Sequence, residues 1–159
     1  MPRLRHIPNF ALALLLLAGC DQPTTISTQA SFLRDAPTQV RVDGYNLVMD
    51  VYLGRDFMPV SPPDGKPLVA VLRIKTADGR PFPAGVNAEH VSVVYGDQVW
   101  TAPTRQEHPS QQQGTLEVVA RDGPKWEPGA TVDVVVYLRD ASGRGYRLRA
   151  PDQVIQRSD

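Results

Sequence analysis

Between Val40 and Ala150, apolar residues recur at every second position in short runs, and proline and glycine punctuate the gaps. This pattern constrains the fold most, because a period of two puts successive side chains on opposite faces of a strand. Tyr45, Leu47, Met49, Val51 and Leu53 alternate with Asn46, Asp50 and Tyr52. The run from Leu68 to Ile74 is more continuously apolar and reads as a central strand. Val91, Val93 and Tyr95 form a shorter run that turns at Gly96-Asp97 into Gln98–Thr101. Further runs are Leu116–Ala120, Ala130–Leu138 and Tyr146–Ala150. The chain holds 15 prolines and 12 glycines, and the breaks Pro59–Gly65, Asp78–Gly85 and Asp122-Gly-Pro concentrate them between the runs. No 3.6-residue period persists after about residue 18. Seven or eight short strands with turn signals between them predict an all-β, antiparallel sandwich over residues 38–159.

The last two runs predict a hairpin in detail. With even-numbered residues inward, Leu138 faces Tyr146, Val136 faces Leu148 and Tyr137 faces Arg147. That register leaves Ala141-Ser-Gly143 as a three-residue loop, with glycine at the position that needs positive φ. Asp133, Tyr137, Arg147 and Arg149 then form a ladder on the wet face. The stretch from Trp126-Glu-Pro-Gly129 to Tyr146-Arg-Leu148 resembles the closing strands of bacterial immunoglobulin-like domains. That resemblance implies a sandwich and brings no catalytic or binding residues with it.

The first twenty residues have a different character. Arg3, Arg5 and His6 precede the nine-residue apolar run Phe10–Ala18, and Gly19 and Cys20 follow it. A charged start, a short apolar stretch and a small-residue cleavage point make a secretory signal peptide over residues 1–19. The run falls well short of the roughly 20 residues a membrane-spanning helix needs. Leu17-Ala18-Gly19-Cys20 resembles the lipobox of bacterial lipoproteins. The resemblance implies cleavage between Gly19 and Cys20, transfer of diacylglycerol to the Cys20 sulfur, and further acylation by a palmitate-like chain. It also implies a location on the extracytoplasmic face of a bacterial envelope membrane. Asp21, next to the anchor, resembles the residue that retains such proteins in the inner membrane of enteric bacteria.

Cys20 is the only cysteine, so the domain has no disulfide available to it. Removing Arg3 and Arg5 with the signal leaves a mature net charge of −2 from 17 basic and 17 acidic residues. A mixed, faintly acidic surface has no electrostatic footprint for nucleic acid and adds no polybasic attraction to anionic lipid. The membrane is thus held through the covalent lipid alone, and stable anchoring requires more than one acyl chain. Residues 20–37 are rich in Gln, Thr, Ser and Pro. They read as a flexible tether whose 17 residues after the cysteine reach about 55 Å when extended.

Candidate chemistry is sparse. His90 and His108 each follow a glutamate, Glu89 and Glu107, but their spacing matches no metal-ligand pattern. Met49 and Met58 are possible soft ligands, and Met49 falls on the inward face of its strand. No Gly-x-Ser-x-Gly elbow is present, and Ser92 shares a solvated strand face with His90. No glycine-rich phosphate loop leads into a helix. Sequence reasoning therefore assigns no catalytic residue, no metal and no cofactor beyond the lipid on Cys20. The candidate binding surface is Trp100, Tyr137, Arg147 and Arg149, and Trp126 is expected to be buried. Phe57 and Met58 either cap the end of the sandwich or are presented by the Pro59–Pro67 loop. The leading expectation is a non-catalytic interaction or accessory module of the envelope, with an envelope protein as partner. The alternatives are a solute-, metal- or glycan-binding lipoprotein, and a hydrolase whose site is assembled from dispersed residues.

Overall fold

The computed structural model describes residues 25–107 and 114–159. The signal peptide, Gly19, Cys20, Asp21 and His108 therefore lie outside the described residues. The elements are α1 (Thr25–Arg34), β1 (Val40–Val42), β2 (Tyr45–Asp56), β3 (Leu68–Thr76), β4 (Asn87–Tyr95), β5 (Gln98–Pro103), β6 (Thr115–Gly123), β7 (Thr131–Arg139) and β8 (Gly145–Ser158). The strands form one curled sheet in the order β5-β4-β7-β8-β2-β3-β6, with β1 beside the start of β2.

The mostly β class follows the alternation. Leu47, Met49 and Leu53 on β2, and Leu68, Ala70, Leu72 and Ile74 on β3, are buried inward. They meet Val91 and Val93 of β4, Val134 and Val136 of β7, and Leu148 of β8 in a single core. The two halves of the sheet thus face each other across one apolar layer, as the exclusion of alternate apolar faces from water requires.

The antiparallel expectation is corrected at one pair. Leu53–Asp56 of β2 run parallel to Ile155–Ser158 of β8, so the sheet is mixed. Strand β8 makes this possible by serving both halves. Its first part pairs antiparallel with β7 and its second part with β2. Between Val134↔Ala150 and Val132↔Gln153 an extra residue enters β8, with Asp152 at φ 54°. Such a bulge bends the strand and shifts the side-chain parity by one. Leu148 and Ala150 accordingly point inward before it, and Ile155 after it.

The curl is nearly a closed ring. Just beyond β5, the Arg105 amide donates to the Val119 carbonyl at 2.9 Å, and the Val119 amide to the Arg105 carbonyl at 2.8 Å. This bridge ties the two terminal strands, β5 and β6, to each other.

The expected flexible tether over 20–37 is also corrected from residue 25 onward. Ala30, Leu33 and Ala36 recur at three-residue spacing and are buried together against Val94 and Val135, with Val99 alongside. Helix α1 therefore lies on the outer face of the β4–β5–β7 half, and the ordered domain begins before residue 38. Among the described residues no helix is long and apolar enough to cross a membrane.

Candidate functional site

The outer face of β7 and β8 carries the predicted ladder in the expected register: Leu138↔Tyr146, Val136↔Leu148 and Tyr137↔Arg147. The face is not wet, because α1 covers part of it. Arg34 Nε donates to Asp133 Oδ2 at 2.9 Å, and Arg34 Nη2 donates to the Gly96 carbonyl at 2.8 Å. Arg147 Nη1 donates to the Phe32 carbonyl at 2.7 Å, and Arg149 Nε to the Ala36 carbonyl at 3.1 Å. The last carbonyls of a helix have no intrahelical partner, so Arg147 caps the last turn of α1 from outside, and Arg149 holds the segment just past its end. The Arg149 amide completes the seam by donating to the Pro37 carbonyl at 2.8 Å. Arg147 and Arg149 are thus engaged with the chain's own helix. Phe32 remains 56% exposed, with the Arg147 guanidinium 3.7 Å from its ring centre.

Tyr137 lies farther along β7. Its ring stacks on His90 with centroids 4.9 Å apart and planes 9° from parallel. Arg139 stands 5.7 Å from the same ring and grips Glu89 with both arms of its guanidinium. The Arg139 hydrogen bonds hold the Glu89 carboxyl below the ordinary glutamate range. Ser92, expected to be solvated, is buried, and its hydroxyl shares a 2.7 Å hydrogen bond with Thr101 Oγ1. Its strand β4 is flanked by β5 on one side and β7 on the other, which excludes water, and the Thr101 hydroxyl satisfies it. Among the described residues no group of three or more His, Cys, Asp or Glu converges as a metal would require.

Trp100 stands apart from the other three. On β5, it pairs with Val93 of β4 and packs half-buried against the core. Its indole covers Gly123, where a Cβ would lie 3.0 Å from the ring. Trp126 is half-buried too, tilted against Tyr95 at 5.5 Å, with its Nε1 donating to Gln98 Oε1 at 3.0 Å. The candidate residues therefore divide between the inner layer and the outer face and do not converge.

Two features escaped sequence reasoning. A cleft of about 260 Å³ opens where β5 and β6 separate from their bridge, lined by Ala102, Pro103, Arg105, Glu107, Val119 and Arg121. Arg121 spans Glu107 with two hydrogen bonds of 2.7 Å, which raise the Arg121 pKa above its ordinary value. The cleft is smaller than most small-molecule pockets, which start at about 300 Å³. The second feature is Arg55, 2% exposed at the end of β2. Its guanidinium donates to the carbonyls of Lys66 at 3.0 Å, Lys125 at 3.1 Å and Trp126 at 3.1 Å, and also to Asp64. Phe57 lies between Arg55 and Arg157, 4.9 and 4.0 Å from its ring centre, so it caps this end. The neighbouring Met58 and Val60 are exposed at 44% and 86%. A signal for Arg55 existed, since it continues the odd-numbered inward parity of Leu47, Met49 and Leu53.

The outer face of the other half has no covering helix among the described residues. Tyr52 is 44% exposed there, beside the half-buried Val69 and Val71. Ion pairs border it: Lys75 to Asp50 at 2.5 Å and Arg73 to Glu117 at 2.6 Å. Compared with protein-family models, with curated proteins and with solved structures, the chain shows no significant match to any of them.

Proposed function

We propose that this chain is a bacterial envelope lipoprotein, cleaved before Cys20 and acylated there, whose β domain is a non-catalytic interaction or accessory module. The observation that carries the reading is the order of Arg3, Arg5, the apolar run Phe10–Ala18 and Leu17-Ala18-Gly19-Cys20, placed directly ahead of a folded domain. Asp21 directs the proposal to the inner membrane. The immunoglobulin-like reading of the fold belongs to the same proposal, supported by two facing sheet halves that share one core. The parallel β2–β8 pair is the feature such a likeness must accommodate. A sheet face that no helix among the described residues covers, with an apolar centre and charged borders, supports the interaction role, because interfaces combine an apolar core with a polar rim.

The test is metabolic labelling with an alkyne fatty acid. Wild type should incorporate label and fractionate with membranes, and Cys20→Ser should do neither. Unchanged labelling and fractionation of Cys20→Ser would overturn the proposal. A solute-binding lipoprotein is the second reading, favoured by the cleft beside Arg105 and Arg121. A ligand-induced rise in melting temperature that Arg121→Ala abolishes would favour it over the first.

A further inference from the structure

The docked position of α1 limits how far the domain can stand from an anchor at Cys20. Resting on the lipoprotein reading above, we propose that the outer face of α1, centred on Phe32 and Arg147, lies against the headgroup layer of the anchoring membrane.

Chain length is the first argument. The stretch from Cys20 to Thr25 covers five residues, at most about 17 Å when fully extended. A free tether to residue 37 would allow about three times that span. The headgroup layer itself occupies roughly 5–8 Å on each side of the hydrocarbon core. The start of α1 is therefore held next to the membrane surface. The helix does not swing away from the domain, because Leu33 is buried beneath it and Arg34, Arg147 and Arg149 fix its last turns.

Chemistry is the second argument. Phe32 is the most exposed aromatic side chain on the described surface, at 56%. An aromatic ring beside a guanidinium suits the boundary between headgroups and acyl chains. Arg34 and Arg149 share the Asp133 carboxylate. Arg147 makes no ion pair among the described residues, and it holds only the Phe32 carbonyl and ring. Its positive charge is left for a lipid phosphate, which guanidinium groups bind through paired hydrogen bonds. The opposite outer face, with Tyr52 between ion pairs, points away from this surface. One arginine and one ring are too little to bind a membrane unaided. They orient a domain that the acyl chains already concentrate there.

Position-specific quenching tests this. In the mature acylated protein the Cys20 sulfur is blocked, so Gln29→Cys, exposed on α1 one turn from Phe32, and Tyr52→Cys variants each accept one thiol-reactive fluorophore. The acylated proteins are placed in phosphatidylethanolamine/phosphatidylglycerol vesicles containing headgroup-nitroxide lipid. Quenching should be several-fold stronger at position 29 than at position 52, and a Gly/Ser spacer of about 15 residues after Gln22 should erase the difference. Equal quenching, or stronger quenching at 52, in protein whose mass includes the acyl groups overturns this proposal and leaves the lipoprotein reading standing. A mature mass without acyl groups overturns both.

Discussion

The Arg34 guanidinium and the Asp133 carboxylate meet at 2.9 Å although 99 positions separate them in sequence. Asp133 also accepts from Arg149 Nη1 at 3.5 Å, so one carboxylate links α1, β7 and β8. A surface ion pair is worth little alone, about 0–1 kcal/mol. Here it acts with the burial of Leu33, Val94 and Val135, and that burial makes α1 part of the domain.

Truncating the helix should therefore destabilise the fold. Leu33→Ala should cost about 2 kcal/mol, because a methyl-rich side chain is lost from a covered site. Deleting residues 24–36 should cost at least as much by exposing Val94 and Val135. Urea denaturation followed by circular dichroism measures both. A deletion variant with an unchanged midpoint would show that α1 is dispensable.

Arg55 is a strap, and replacing it should be expensive. Arg55→Met removes the donors of four carbonyls on the loops before β3 and β7. Losing four hydrogen bonds from a buried, charged donor should cost about 3 kcal/mol or more in total. Arg55→Lys should recover only part of that, since an ammonium lacks the planar fork. A melting temperature for Arg55→Met within a degree or so of wild type would contradict the role.

The hairpin loop should confer a specific acid sensitivity. Asp140 accepts from the Ser142 hydroxyl at 2.6 Å, the Tyr146 hydroxyl at 2.8 Å, and the Arg144 and Ser142 amides at 2.9 Å each. These bonds, the Ser142 hydroxyl foremost, lower its pKa from 3.8 to about 2. A depressed folded-state pKa favours the fold above the unfolded value, and the gain disappears as pH falls through the folded one. Wild type should thus melt well above Asp140→Asn at pH 7. The gap should narrow between about pH 4 and pH 2. A gap that is constant across that range would assign the loop's stability to something other than ionised Asp140.

The Tyr137 ring also makes a measurable demand on Gly145. A Cβ at residue 145 would lie 1.9 Å from the Tyr137 hydroxyl oxygen. Gly145→Ala must displace the ring and with it the His90 stack, at a cost of about 1 kcal/mol. The His90 ring protons should lose their ring-current displacement in the NMR spectrum. Unchanged His90 shifts would mean that the hairpin yields instead.

The last hairpin was legible because its information is local: strict alternation on both strands, and Gly143 at φ 87° in the loop. Helix α1 was not legible, because its buried side consists of Ala30 and Leu33, with Ala36 just beyond its end, a weak 3.6-residue signal in a Gln/Thr/Ser background. The second part of β8 hid behind Pro151 and Asp152, which read as a strand end and instead mark a bulge. The cleft was hidden for another reason: Arg105 and Val119 meet only through tertiary closure of the ring. Within the candidate surface, alternation placed Tyr137, Arg147 and Arg149 on one face, but it carried no information about which of them the chain would occupy itself.

Because β8 lies between β7 and β2 in the sheet, neither half has its full complement of neighbours until residues 145–158 are present. Strands β4, β5, β3 and β6 pair without it, but β7 and β2 are joined side by side only through that late segment. Pairings so distant in sequence slow folding in general, and for a protein proposed to leave the cytoplasm before it folds such a delay is an advantage.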